Sequence, residues 1–217
     1  MKETLTDNFR RWLLDNYRPG DRLPDEFELA ERFSVSRSTI REAICLLEGL
    51  GILERNPRRG TYVKSPSVEE VGNTLQLQLQ FCNFGFEEMK QTRLFLELAM
   101  AEQLIEKITP ADIDRLNGLI QQMEASESEL EKADNLDLQF HQALMSISGN
   151  HILEVFCAVI QLMFSKKYRK PYLNVRTVRK SVKGHRRMMQ SIKAGDAAAL
   201  KREIERHIKP MECADQP

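Results

Sequence analysis

Apolar residues recur at helical spacing along most of the chain, whereas strand-like patterns are confined to a stretch near residue 60. A first helix is predicted over residues 4–17, where the apolar side chains share one face, and Pro19-Gly20 ends it. A second helix is expected to begin at Asp25. Its predicted inward side chains are Phe27, Leu29, Ala30 and Phe33.

A tight turn and a third helix follow. Ser34-Val35-Ser36 suits the turn, and the Ser36 side chain can cap a helix that runs to about Leu50. Two predicted strands, Ile52-Leu53-Glu54 and Thr61-Tyr62-Val63, flank the turn-rich, doubly basic segment Asn56-Pro57-Arg58-Arg59-Gly60. This order of elements predicts a winged helix-turn-helix.

The remainder of the chain is predicted to be helical after the short linker Ser65-Pro66-Ser67. The predicted helices span residues 68–81, 86–107, 110–130, 132–147, 151–168, 176–194 and 197–209. We therefore expect a mainly α protein. A winged helix-turn-helix of three helices and a β-hairpin occupies residues 1–65, and an all-helical bundle of six or seven helices occupies residues 66–217.

Composition narrows the class of protein. A run of about 18 apolar residues, as a membrane span needs, is missing from the sequence, and its first twenty residues are amphipathic. The four cysteines stand far apart without CxxC spacing, so we expect isolated buried thiols rather than a disulfide framework or a thiolate zinc site. A cytoplasmic protein that neither enters nor crosses a membrane is expected.

Charge is segregated although the formal net charge is zero. From Glu97 to Asp137 the chain has eleven acidic and three basic residues, and between Glu154 and Asp196 it has eleven basic residues and no acidic one. The basic stretch is expected to face the acid-rich helices or a partner subunit, and the alternative is an anionic ligand or DNA.

The third helix carries the features of a DNA-reading helix. Arg37 and Arg41 are one turn apart, so they share a face near its N-terminus, together with Ser38. Arginine can grip guanine O6 and N7 with two hydrogen bonds, and hydroxyl side chains reach phosphates. Arg58 and Arg59 of the hairpin are expected near the minor groove or the DNA backbone. Solvated surface arginines are the alternative, but the combination with a basic hairpin favours DNA binding.

The segment LPDEFELAERFSVSRSTIREAICLLEGLGILERNPRRGTYV resembles the winged helix-turn-helix of GntR-type bacterial regulators, and the match covers residues 5–64. The resemblance implies that Arg37 and Arg41 contact operator DNA. It also implies that Ser36, Ser38 and Thr39 support these arginines and that Gly60 lets the tip of the wing approach the DNA. Two positions depart from the pattern: Phe27 replaces a usual arginine, and Arg58 replaces a usual wing glycine.

The second half of the chain contains a candidate metal site. Asp137 and His141 are four residues apart, so they project from one face of a helix. His185 lies ten residues before Gly195 and His207 eleven after Asp196, so in a helix hairpin both lie about 15 Å from the turn. Three imidazoles and a carboxylate would suit Zn, Ni or another divalent ion. A hydrogen-bonded Asp–His pair without metal is the alternative.

Residues 68–210 resemble the FCD ligand-binding domain of FadR-type GntR regulators, through D-x-x-x-H, the later G-H and the final histidine. The resemblance implies a metal held by Asp137, His141, His185 and His207 that helps to bind a carboxylate effector. Arg93 in RLFLE is either an effector contact or the partner of Glu97 one turn on. His151 is expected outside the site.

The sequence thus predicts a homodimeric transcriptional regulator, a repressor, that binds a pseudo-palindrome and releases it when a carboxylate binds. It predicts no catalytic residue. A regulator that responds to the metal ion itself, a purely structural metal, and a metalloenzyme joined to a DNA-binding module are the alternatives.

Overall fold

The structure is a computed structural model that describes residues 5–82, 84–165 and 173–210. The chain divides into two compact units, residues 1–70 and 71–217. The helices and strands are α1 (Leu5–Asn16), α2 (Glu26–Phe33), α3 (Arg37–Gly49), β1 (Leu53–Asn56), β2 (Gly60–Val63), α4 (Val68–Phe81), α5 (Phe86–Lys107), α6 (Pro110–Ala125), α7 (Leu130–Ile147), α8 (His151–Met163), α9 (Val175–Lys193) and α10 (Ala197–Ile208).

The N-terminal unit consists of α1 to α3 and the β1–β2 hairpin. Asp25 caps α2 by accepting from the backbone N–H groups of Phe27 and Glu28, and the Glu28 carboxylate accepts from the Asp25 N–H. Ser34 ends α2 in the left-handed conformation, and Ser36 caps α3. The most deeply buried side chains of this core are Phe9, Leu29, Ile40, Ile44 and Leu47.

The hairpin is antiparallel, with Leu53 opposite Val63 and Asn56 opposite Gly60. The Arg59 N–H donates to the Asn56 carbonyl at 3.0 Å, and Arg58 has a φ of 65°. Proline at the second turn position and a positive φ at the third are the features of a type II turn. The β1–β2 hairpin is the wing of the winged helix-turn-helix. Its tip is a tight turn that presents Arg58 and Arg59.

The helical unit encloses a large apolar core. Helix α5 packs against α7, α8 and α10, and α9 packs against α6, α7 and α10. The break between α7 and α8 contains Gly149 at a φ of 64°, and Asn150 caps α8. The Lys107 ammonium group donates to the Ser148 carbonyl at 2.8 Å, at the carboxyl end of α7 where a cation is favourable.

The predicted fold class is confirmed: a hairpin follows three helices, and seven helices follow it in the described part of the chain. Helix α6 ends at Ala125 rather than near 130, because Ser126 is buried at its C-cap and the chain turns there. Helix α8 ends at Met163, and the predicted extension through 166–168 lies outside the described residues. Every helix among the described residues is too short or too polar to span a bilayer.

Two expectations about burial are wrong. Phe27 is 56% exposed, because at about 100° per residue it lies about 160° around α2 from the fully buried Leu29. Cys45 and Cys82 are exposed, and only Cys157 of the described cysteines is buried. Cys213 lies outside the described residues.

Contacts of α9 favour one interpretation of the charge segregation. The Arg179 guanidinium binds both oxygens of Glu127 at 2.7 Å, and Arg186 pairs with Glu124 of α6. These partners belong to the acid-rich segment, so a part of the basic stretch is neutralised within the helical unit.

Candidate nucleic-acid interface and metal centre

The N-terminal turn of α3 presents the residues predicted to read DNA. Arg37, Ser38 and Arg41 are exposed, and Ser36 is exposed as well. The Ser36 hydroxyl accepts from the Thr39 N–H at 3.1 Å and lies 2.8 Å from the Thr39 hydroxyl. These two hydroxyl groups therefore hold the helix start in place, and the two arginines one turn apart lie on its exposed face.

The wing presents its predicted residues in the same way. Arg58 and Arg59 are exposed at the tip. Gly60 has a φ of 108°, and a Cβ atom on it would lie 2.8 Å from Nε of Arg22. The exposed Arg22 side chain could move away from such an atom, but the positive φ would still strain any other residue, so the backbone conformation favours glycine here.

Arg58 occupies a left-handed conformation that an L side chain adopts at a cost of about 1–2 kcal/mol. We expect Arg58→Gly to raise the free energy of unfolding by about 0.5–1 kcal/mol, after the entropy cost of glycine is subtracted. It should also weaken binding to DNA of every sequence by a similar factor. The slope of the logarithm of DNA affinity against the logarithm of salt concentration should fall in magnitude by about one. Thermal unfolding and salt-dependent DNA titration measure the two effects.

Arg58→Asn is the control, because asparagine tolerates the left-handed region without a charge. It should reproduce the loss of DNA affinity with a smaller gain in stability. A less stable Arg58→Gly variant would contradict this account of the turn.

The four predicted metal ligands meet inside the helical unit. One ligand atom from each of Asp137, His141, His185 and His207 lies within 4.8 Å of every other. Two of these residues come from α7, one from α9 and one from α10. His207 is half-buried and the other three are buried. The four residues whose spacing in the sequence predicts a shared site therefore lie together in the structure. That they bind a metal stays a prediction.

The distances among three of the four residues, Asp137, His141 and His185, suit a metal ion. Nε2 of His185 lies 3.1 Å from Oδ1 of Asp137 and 3.2 Å from Nε2 of His141, and the latter atom lies 3.5 Å from the same carboxylate oxygen. Ligand atoms bound at about 2.1 Å are separated by about 3.0–3.4 Å in octahedral and tetrahedral sites. Burial lowers the pKa of His185, which favours the neutral imidazole that binds metal.

A second carboxylate supports this cluster. Oε1 of Glu97 lies 3.0 Å from Nδ1 of His141 and accepts a 2.8 Å hydrogen bond from Nε of Arg93. Burial alone would raise the pKa of Glu97, but His141 and Arg93 outweigh it and hold the pKa well below its ordinary value. A carboxylate beside Nδ1 favours the tautomer whose proton is on Nδ1, so Nε2 of His141 stays available to a metal.

The contact of Glu97 with a candidate metal ligand was not predicted from the sequence, although the position of Glu97 along α5 indicates that it is buried. Arg93, Glu97, Met100 and Leu104 fall on one face of α5, and all four are buried. Charged residues that share a helical face with core residues are expected to be buried as a pair. Of the two interpretations of Arg93, the structure shows the contact with Glu97, and a contact with an effector stays a prediction.

The residue before His185 is Gly184, and the lack of a side chain there makes room for the His207 ring. A Cβ atom at Gly184 would lie 2.6 Å from Nδ1 of His207. The glycine therefore lets the His207 ring approach α9 and join His185 in the cluster. Phe140 stacks on the His185 ring at a centroid distance of 4.0 Å. His151 is exposed and pairs with Glu154, outside the cluster.

Comparisons with known proteins agree with both units. Residues 1–63 match the family model of bacterial regulatory proteins of the gntR family, and residues 88–210 match the FCD domain. The chain belongs to the GntR family. GntR proteins with an FCD domain are DNA-binding transcriptional regulators rather than enzymes, so the metalloenzyme alternative is set aside.

The similarity to individual relatives covers most of this GntR regulator. It is 29% identical over 202 residues to the HTH-type transcriptional regulator LutR of Bacillus subtilis, covering 90% of this chain and 91% of LutR. It is 28% identical to the Exu regulon transcriptional regulator of Escherichia coli, covering 89% and 75%. The structure of Streptococcus agalactiae GntR superposes with a TM-score of 0.60 at 29% identity, covering 94% and 95%.

Proposed function

We propose that this GntR regulator reads operator DNA with α3 in the major groove and the wing on the adjacent minor groove or backbone. The observation that carries the proposal is the display of two exposed arginines one turn apart on a capped helix. The proposed contact residues are Ser36, Arg37, Ser38, Thr39, Arg41, Arg58, Arg59 and Gly60.

Replacing Arg37 tests this assignment. Arg37→Ala is expected to weaken binding to an operator selected from a randomised duplex library by about 1–3 kcal/mol, with relaxed preference at one base pair. Arg10→Ala is the control, because it removes one exposed cation from α1 and leaves α3 intact. Fluorescence anisotropy at several salt concentrations measures the operator affinity of both variants. Equal operator affinity of Arg37→Ala and the unmodified protein at every salt concentration would reject the assignment.

We propose that the FCD domain is of the FadR type and holds a divalent ion, Zn or alternatively Ni or another such ion, through Asp137, His141, His185 and His207. The charges in the cluster support an anionic effector. Arg93 and Glu97 neutralise each other, and a divalent ion with one aspartate and neutral imidazoles retains one positive charge. A small carboxylate would balance that charge and complete the coordination.

We propose that a homodimer binds a pseudo-palindromic operator in the cytoplasm as a repressor and releases it when the effector binds. Large apolar side chains that are exposed on the helical unit are the residues that we assign to the contact between the two subunits, because their burial would favour association. They are Leu77 and Phe81 of α4, Phe95 of α5, and Ile152 and Phe156 of α8.

A further inference from the structure

The Arg41 guanidinium rests against the carboxylate of Glu26, the first residue of α2. Nε of Arg41 lies 3.2 Å from each carboxylate oxygen, and Nη2 lies 2.6 Å from Oε2. The contact therefore uses the side edge of the guanidinium, formed by Nε and Nη2. The Arg41 side chain nevertheless stays 56% exposed.

A guanidinium has a second edge that this contact leaves open. Its end edge, formed by Nη1 and the outer N–H of Nη2, also presents two parallel donors. Guanine O6 and N7 accept such a pair of donors in the major groove. Arg41 can thus bind Glu26 and a guanine at the same time, with the plane of its guanidinium set by Glu26.

The structure also holds Glu26 in place. The Asp25–Glu28 capping box fixes the start of α2, and a carboxylate in the first turn is favoured by the helix dipole. Arg55 of β1 lies 3.9 Å from Oε1 of Glu26. The hydrogen bond from Arg41, and further the charges of Arg41 and Arg55, lower the pKa of Glu26. The carboxylate is therefore ionised and anchored between α3 and the wing.

We propose that Glu26 is a positioning residue for operator selection, which holds Arg41 so that its end edge meets a guanine. This inference rests on the proposed DNA-reading function. Glu26 raises selectivity in two ways. It orders the arginine before binding, which reduces the entropy lost on contact with the base. It also places a negative charge near the arginines, which weakens their attraction to DNA of any sequence.

The test uses Glu26→Gln and Glu26→Ala in the full chain. The duplexes are an operator selected by the unmodified protein, the operator with single base-pair changes, and random duplex. Arg41→Ala first identifies the base pair that Arg41 reads. At that pair we expect both Glu26 variants to lose about tenfold of the preference for guanine, which is about 1.4 kcal/mol. Their affinity for random duplex should rise.

Glu31→Gln is the matched control, because it removes one exposed carboxylate from α2 without touching Arg41. It should leave the preference at that base pair unchanged. Circular dichroism checks that each variant folds. Unchanged or increased guanine preference in the Glu26 variants would overturn the inference, since the pair would then be incidental or would restrain Arg41 from the base. Failure of the unmodified protein to select any sequence would instead refute the DNA-reading function itself.

Discussion

Replacing Glu97 by leucine is expected to lower the free energy of unfolding by about 3–5 kcal/mol, because it leaves the Arg93 guanidinium buried without its anionic partner. Both side chains are almost fully inaccessible to water, so solvent cannot replace the lost contact. Denaturant unfolding in the presence of a chelator measures the change without a contribution from metal binding.

The double variant Arg93→Met/Glu97→Leu separates this stability effect from the role of Glu97 at the metal site. Replacing both charges by apolar side chains should recover most of the stability. Metal affinity should stay about 10–100-fold below that of the unmodified protein, because His141 still lacks its carboxylate. Normal metal affinity in the double variant would refute the support of His141 by Glu97. Normal stability of Glu97→Leu would refute the buried ion pair.

Replacing His185 by alanine is expected to remove most of the stabilisation by a divalent ion. A ligand at about 100 times its Kd raises the free energy of unfolding by about 2.7 kcal/mol. Zinc or nickel should have this effect on the unmodified protein and a small effect on His185→Ala. His151→Ala is the control, because His151 is exposed and outside the cluster. Equal stabilisation of the His185→Ala and unmodified proteins would refute the metal site.

A panel of small carboxylates extends the same measurement to the effector. With metal present, a true effector should stabilise the unmodified protein further and release operator DNA. Neither effect should occur in His185→Ala or after treatment with chelator. Operator binding that changes with metal alone would instead support the metal-responsive regulator. Metal stabilisation without any carboxylate effect would support a structural metal.

Local signals in the sequence were sufficient for most of the fold. Asp25 and Ser36, where the sequence predicts helix starts, cap helices in the structure, as oxygen-bearing side chains at such positions usually do. The prediction that extended α6 to about residue 130 was wrong because a buried turn at Ser126 ends the helix. Helical periodicity does not report where a helix ends to within a few residues.

The candidate metal cluster was partly predictable for a geometric reason. Asp137 and His141 share a helical face by their spacing alone, and residues at equal distances from a turn lie level in a helix hairpin. Spacing does not reveal how closely two helices approach. The absence of a side chain at Gly184, which admits the His207 ring, acquires its meaning only once α9 and α10 are packed together.

The sequence by itself determined the order of the helices, the hairpin, the caps and the arginines on α3, because each depends on residues close together in the chain. Only the tertiary structure decided which charged side chains of different helices meet. Glu26 reaches Arg41 and Glu97 reaches His141 across different helices. Ion pairs between distant residues depend on packing geometry, and no local periodicity encodes that geometry.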